Sequence, residues 1–180
     1  AGANIGIRAA SGTKLIVSNP DVIFDEGCID ALVDALGGRV ALSGPRFSWD
    51  TAGRWLLPPA TVLSVRSELS RSFASWSRLH AGRRARTLLF ERVAFWKADS
   101  PARVAAVSGA VMAIERDAWT RVGGFDERYR LYYEEIDFMR ALAGERYAVC
   151  YVPAARCHHL YDQSATSEAE HQLKFAESQA

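Results

Sequence analysis

Lys14-Leu15-Ile16-Val17-Ser18-Asn19-Pro20-Asp21, answered some twenty positions on by Val40-Ala41-Leu42, is the stretch on which the fold turns. The first five residues form a short apolar run rich in β-formers, the profile of a buried parallel strand. Asn19-Pro20-Asp21 breaks it with three turn residues in a row. Asp25 then stands where it could cap a helix. The apolar positions Cys28, Ile29, Leu32, Val33 and Leu36 recur at helical spacing until Gly37-Gly38 stops them. A second strand begins at Val40. Strand, crossover helix and strand within about thirty residues make a βαβ unit, and so an α/β fold.

Outward from this unit, residues 4–10 read as the end of a helix, with Gly12 as a left-handed stop. Residues 44–60 read as a loop, with turn chemistry at Asp50-Thr51-Ala52-Gly53 and a stop at Pro58-Pro59. Residues 61–96 read mainly as helix, interrupted near Gly82. Residues 103–114 read as one strand bent at Gly109. A short helix over 117–122 leads to the turn Gly123-Gly124. A helix over 134–143 ends at Gly144, a strand covers 147–152, and a last helix covers 166–178.

The 180 residues are 49% hydrophobic and 24% charged, which suits one globular domain and excludes disordered, collagenous and coiled-coil classes. No apolar run reaches the eighteen residues of a membrane span. The opening residues have neither the basic start nor the apolar centre of a signal peptide. Three cysteines, Cys28, Cys150 and Cys157, read as reduced thiols of a cytoplasmic protein, and their spacing makes no zinc site. The net charge of +1 speaks against a nucleic-acid binder but conceals a segregation. Residues 61–104 hold nine basic and three acidic groups, whereas 115–145 hold five basic and eight acidic. The basic stretch, with aromatic residues between its arginines, suits an anionic membrane surface as well as helices packed on a sheet.

Three places could carry chemistry. Asp21 lies past the end of an apolar strand, where open α/β sheets put their ligands; there it serves either a hard divalent cation or a plain turn. Tyr132-Tyr133-Glu134-Glu135-Ile136-Asp137 sets three carboxylates within four positions at a helix start. The helix dipole alone favours acids there, but aromatic neighbours and like charge would also raise a carboxylate toward general-base duty. His158-His159, following a strand and preceding Ser164, suits metal, phosphate or structure.

In order and spacing, these segments resemble the family 2 glycosyltransferases of the bacterial rhamnosyltransferase-like group. The matching pieces run from Asn4-Ile5-Gly6-Ile7-Arg8 through Asn19-Pro20-Asp21, Gly44-Pro45 and Asp50 to Arg54. They continue with Ser108-Gly109-Ala110-Val111-Met112 and Gly123-Gly124-Phe125-Asp126-Glu127, then Leu131 to Asp137, Tyr151-Val152-Pro153 and His158-His159. The resemblance implies a GT-A fold, a mixed Rossmann-like sheet flanked by helices. It further implies inverting transfer of a sugar from a nucleotide-diphospho-sugar to a saccharide or lipid-linked saccharide, with Mg²⁺ or Mn²⁺. Asp21 matches the last acid of the metal motif, with Asn19 in its first position. His159, or alternatively His158, matches the histidine near the metal or diphosphate. Glu135 matches the general base, with Glu134 the alternative. Gly109 and Ala110 would border the donor sugar, and Phe125, Asp126 and Tyr133 the acceptor.

The resemblance also implies that βαβ units holding the nucleotide precede Asn4, so that residues 1–180 are part of one glycosyltransferase domain with a basic helical insertion at 61–100. That insertion would dock at the inner face of the plasma membrane. A non-catalytic saccharide- or membrane-binding remnant of the same fold is the alternative. The oligomeric state is not legible in the sequence.

Overall fold

The computed structural model describes residues 2–50, 52–57, 78–129 and 133–159. Along the chain run α1 (Gly2–Ala9), β1 (Lys14–Ser18), β2 (Val22–Phe24), α2 (Cys28–Asp34), β3 (Val40–Ser48) and α3 (Arg78–Lys97). There follow β4 (Ala102–Val104), β5 (Val111–Glu115), α4 (Arg116–Val122), α5 (Glu134–Gly144) and β6 (Ala148–His159). The strands form one mixed sheet in the order β1-β5-β3-β6-β2, with β4 also on β6.

β1 and β3 run in the same direction with α2 crossing between them, as the βαβ reading requires. They are not neighbours, however, because β5 lies between them and antiparallel to both. β1 is therefore no buried parallel strand. Among the described residues it pairs only with β5, and Leu15 is buried while Ile16 is 36% exposed. A short apolar run cannot distinguish burial on two faces from burial on one.

β3 continues to Ser48, through the residues read as a loop. Gly44 and Pro45 are strand residues for two separate reasons. The segment before β5 crosses so near that a Cβ on Gly44 would lie 2.5 Å from Val107 Cβ. β5 pairs with β3 only at Leu42 and Ser43, so Pro45 has no β5 partner to disappoint, and the β6 register shifts just beyond it. Residues 103–114 are likewise two strands rather than one bent strand: β4 pairs with β6, and β5 with β1 and β3. β6 extends well beyond 152, with β3 along one side and β4 then β2 along the other.

Each sheet face has its own core. On one, Leu42, Met112, Ile114, Val149 and Tyr151 pack against Ile7 of α1, Trp119 of α4, and Phe138, Met139 and Leu142 of α5. On the other, Cys28 and Leu32 of α2, with Leu36 just beyond it, cover Val111, Ala113, Cys150, Val152 and Cys157. Each large apolar side chain so buried contributes roughly 1.5–3 kcal/mol. α3 runs unbroken through Gly82 and docks by its C-terminal turn. Phe95 stacks on Tyr151 at 4.0 Å, and Arg46 donates to the Tyr151 hydroxyl at 3.0 Å and to the carbonyls of Trp96 and Ala98. No described helix is long and apolar enough to cross a membrane. The expected helix over 166–178 and the first part of the 61–100 insertion lie outside the described residues.

Candidate active site

β1, β3 and β6 point the same way, so their C-terminal ends share one edge of the sheet with the N-terminal end of β5. This is the edge where α/β sheets bind ligands. Asp21 enters it from the turn after β1, which is held down by the Asn19 N–H donating to the Ala110 carbonyl at 2.8 Å. The β2–β6 pairing sets Val22 opposite His159. It brings His159 Nε2 to 3.2 Å from Asp21 Oδ1, with both side chains nearly closed to solvent. That Asp21 oxygen is buried and accepts no hydrogen bond.

The two histidines part company here. His158 Nδ1 lies 2.6 Å from Ser48 Oγ and its Nε2 2.7 Å from Asp25 Oδ1, so both ring nitrogens are taken. His158 is a tie between the ends of β2, β3 and β6, which leaves His159 as the histidine facing Asp21.

Gly109 connects this corner to the carboxylates. A Cβ there would meet Glu135 Cγ at 2.9 Å, Cβ at 3.2 Å and Cδ at 3.3 Å. The absence of a side chain lets Glu135 lie directly on the turn that also anchors Asn19 through Ala110. Asp21 and Glu135, 114 positions apart in the sequence, are thus brought to one edge. Burial pushes the Glu135 carboxyl above the usual carboxylate range; its own backbone N–H opposes this, and the Glu134 charge adds to it. Glu134 Oε2 is itself buried without a hydrogen-bond partner. Tyr133, the residue before α5, has φ 68°, an uncommon conformation for a side chain of its size, and it turns the chain so that the helix starts at the carboxylates.

Two residues expected on the acceptor side are used differently. Phe125 is buried in the core with its ring 4.6 Å from Phe138, so it offers no face to a ligand. The Asp126 carboxylate is forked by Arg128 at 2.9 and 2.6 Å, which holds it below the usual range. Their motif has a partner that the sequence did not reveal. Asn4, buried in α1, donates to the Phe125 carbonyl at 2.8 Å and to Glu127 Oε1 at 2.8 Å, and accepts from the Phe125 N–H at 3.0 Å. A lone polar residue on the inward face of an apolar helix is the signal that could have found it.

Among the described residues no cluster of three or more His, Cys, Asp or Glu could hold a metal. Asp21 and His159 nevertheless fit a divalent cation. A buried carboxylate oxygen whose close neighbour is an imidazole nitrogen, itself a metal-ligating atom, suits a cation, and a metal bound with a diphosphate needs only one or two protein ligands.

The chain has the GT-A fold, an open mixed sheet that gathers Asp21, His159 and Glu135 at one edge. It superposes on GalNAc-T7 solved with UDP, GalNAc and Mn²⁺, with TM-score 0.56 and 18% identity over 90% of this chain and 30% of that one. It also superposes on the mannosyltransferase PcManGT from Pyrobaculum calidifontis, solved with GDP-Man and Mn²⁺, with TM-score 0.54 and 15% identity over 98% of this chain and 39% of that one. In sequence it is 32% identical over 166 residues to the N-acetylglucosaminyl-diphospho-decaprenol L-rhamnosyltransferases of two Mycobacterium tuberculosis strains, CDC 1551 / Oshkosh and ATCC 25618 / H37Rv. That alignment covers 87% of this chain, which spans about half the length of these curated relatives. No family model matches. The rhamnosyltransferase-like resemblance of the sequence and the GT-A fold therefore agree.

Proposed function

We propose that the chain carries the metal and acceptor side of an inverting glycosyltransferase, which moves a sugar from a nucleotide-diphospho-sugar to a saccharide attached to a lipid diphosphate. The observation that carries this reading is the convergence of an unsatisfied, buried Asp21 oxygen facing His159 with a buried Glu135 on the neighbouring turn. Likeness to rhamnosyltransferases whose name specifies a diphospho-decaprenol acceptor supports the acceptor class.

In this reading Asp21 and His159 hold the divalent cation, which would supply Lewis-acid neutralisation of the departing diphosphate. Glu135 takes the proton of the acceptor hydroxyl as that oxygen attacks the anomeric carbon. Its raised pKa makes it a better base than an exposed carboxylate, and Gly109 fixes its position. Glu134 keeps like charge beside it. Gly109 and Ala110 leave room for the donor sugar. Arg86, Leu89, Phe90 and Arg92 are exposed on α3 and suit an anionic membrane face on the cytoplasmic side.

Calorimetry with UDP, GDP and dTDP in the presence of Mn²⁺ tests the metal half: binding is expected with one of them and should weaken in Asp21→Asn. No heat with any nucleotide would favour a non-catalytic remnant of the fold. In the enzyme that contains this chain, Glu135→Gln is expected to abolish transfer while leaving nucleotide binding intact. Normal turnover by that variant would refute the base assignment.

A further inference from the structure

Beside His158 lies a cavity of about 320 Å³ whose lining includes Asp25, Arg46, Ser48, Leu56, Arg156 and His158. Its charge is unbalanced. Asp25 is the only carboxylate among its described lining residues, and His158 already engages it at 2.7 Å. Arg46 is half-buried and held by three neutral acceptors, the Tyr151 hydroxyl and the carbonyls of Trp96 and Ala98. These contacts orient the guanidinium without neutralising it. Arg156 is exposed at the same cavity, and neither arginine has a carboxylate partner among the described residues. One guanidinium held in place and a second, exposed one beside it, without a counter-ion, form a receptor for phosphate oxygens.

The cavity wall supplies a second observation. Gly53 and Leu56 belong to a loop closed by Asp50, which accepts from the N–H groups of Arg54 and Trp55 at 2.9 and 3.0 Å. The Trp49 N–H donates to the Trp55 carbonyl at 2.8 Å, and the two indoles are 50% and 69% exposed. Exposed tryptophans at a rim suit the boundary between bilayer and water.

We propose that this cavity is a second phosphate subsite, which holds the diphosphate of the lipid-linked acceptor while Trp49 and Trp55 seat its rim at the bilayer surface. The inference rests on the glycosyltransferase reading above, in which the donor's diphosphate belongs with Asp21 and His159. The two subsites differ in one testable respect. Its described lining sets two guanidinium groups against one carboxylate, so it should bind diphosphate without metal.

The test uses the chain with EDTA present and two probes: inorganic diphosphate, followed by calorimetry, and phosphatidylcholine vesicles containing polyprenyl diphosphate, followed by co-sedimentation. Both should bind, and Arg156→Ala should weaken each roughly tenfold or more, since charge-assisted hydrogen bonds are lost. Asp21→Asn should change neither, and Trp55→Ser should weaken only the vesicles. Two results would overturn the proposal: a requirement for metal, or equal binding to vesicles that carry phosphatidylglycerol instead. Nucleotide binding with Mn²⁺, which Arg156→Ala should leave unchanged, tests the glycosyltransferase reading separately.

Discussion

Gly109→Ala isolates the placement of the proposed base from its chemistry. The new Cβ would lie 2.9 Å from Glu135 Cγ, where an unstrained carbon pair sits at about 3.5–4.0 Å. Glu135 must therefore retreat by roughly 0.6–1.1 Å. Gly109 is not among the glycines with positive φ, so the backbone accepts alanine. Glu135 Cγ and Cδ can swing aside, and its Cβ at 3.2 Å asks for a shift of only a few tenths of an ångström. The small gain from stiffening the unfolded chain, about 0.4–1 kcal/mol, should offset much of the crowding, and the fold should lose no more than about 1 kcal/mol. Catalysis should suffer far more. Misplacing a reacting group by 1 Å costs about a hundredfold, equivalent to about 2.7 kcal/mol in the barrier. The assay is the initial rate of sugar transfer at saturating donor with acceptor varied, alongside a thermal melt of the same preparation. kcat should fall about a hundredfold while the melt barely moves. If kcat stayed within twofold of the parent with an unchanged melt, Gly109 would not be positioning the base, and the argument from its contact with Glu135 would fail.

Three further outcomes follow from contacts elsewhere. Asn4→Ala removes both partners of the buried Phe125 backbone and should cost about 2–5 kcal/mol, read as a lower denaturant midpoint. Gly44→Ala places a carbon within 3 Å of three Val107 atoms and should destabilise by about 3 kcal/mol; Val107→Ala removes the two Cγ contacts but keeps the Cβ at 2.5 Å, so the double variant should recover only part of the loss. Glu135→Gln should raise the melting temperature at neutral pH. Burial raises the folded pKa of Glu135, so its ionisation opposes folding as pH rises from the unfolded carboxylate value through the folded one; below that interval the penalty is absent, and the advantage of glutamine should vanish at acid pH. The same shift should set the acid limb of the transfer rate above the ordinary carboxylate range.

The sequence was most informative where periodicity and punctuation agreed. α2, α4 and α5 lie where helical spacing and the stops at Gly37, Gly123 and Gly144 put them, and Asp21 ends a strand as expected. It misled where a residue's role depended on a distant neighbour. Gly44 and Pro45 read as a loop because nothing local shows that Val107 passes over the one or that β5 has stopped pairing beside the other. His158 and His159 are adjacent and chemically identical, and only the partners brought by β2 and β3 assign one to Asp25 and Ser48 and the other to Asp21. Phe125 was expected to border the acceptor, and its burial was not legible because Asn4, its clasp, lies 121 positions away.

The tie through His158 also divides the edge mechanically. Because one ring grips residues at the ends of both β2 and β3, the backbone just after β2, the close of β3 and the end of β6 are held to one another. That side of the edge is a fixed jaw. Residues 52–57 share that anchorage, since the Leu57 N–H donates to the Phe47 carbonyl and the Trp96 indole to the Leu57 carbonyl, so any closure that accompanies substrate entry must come from elements outside this edge.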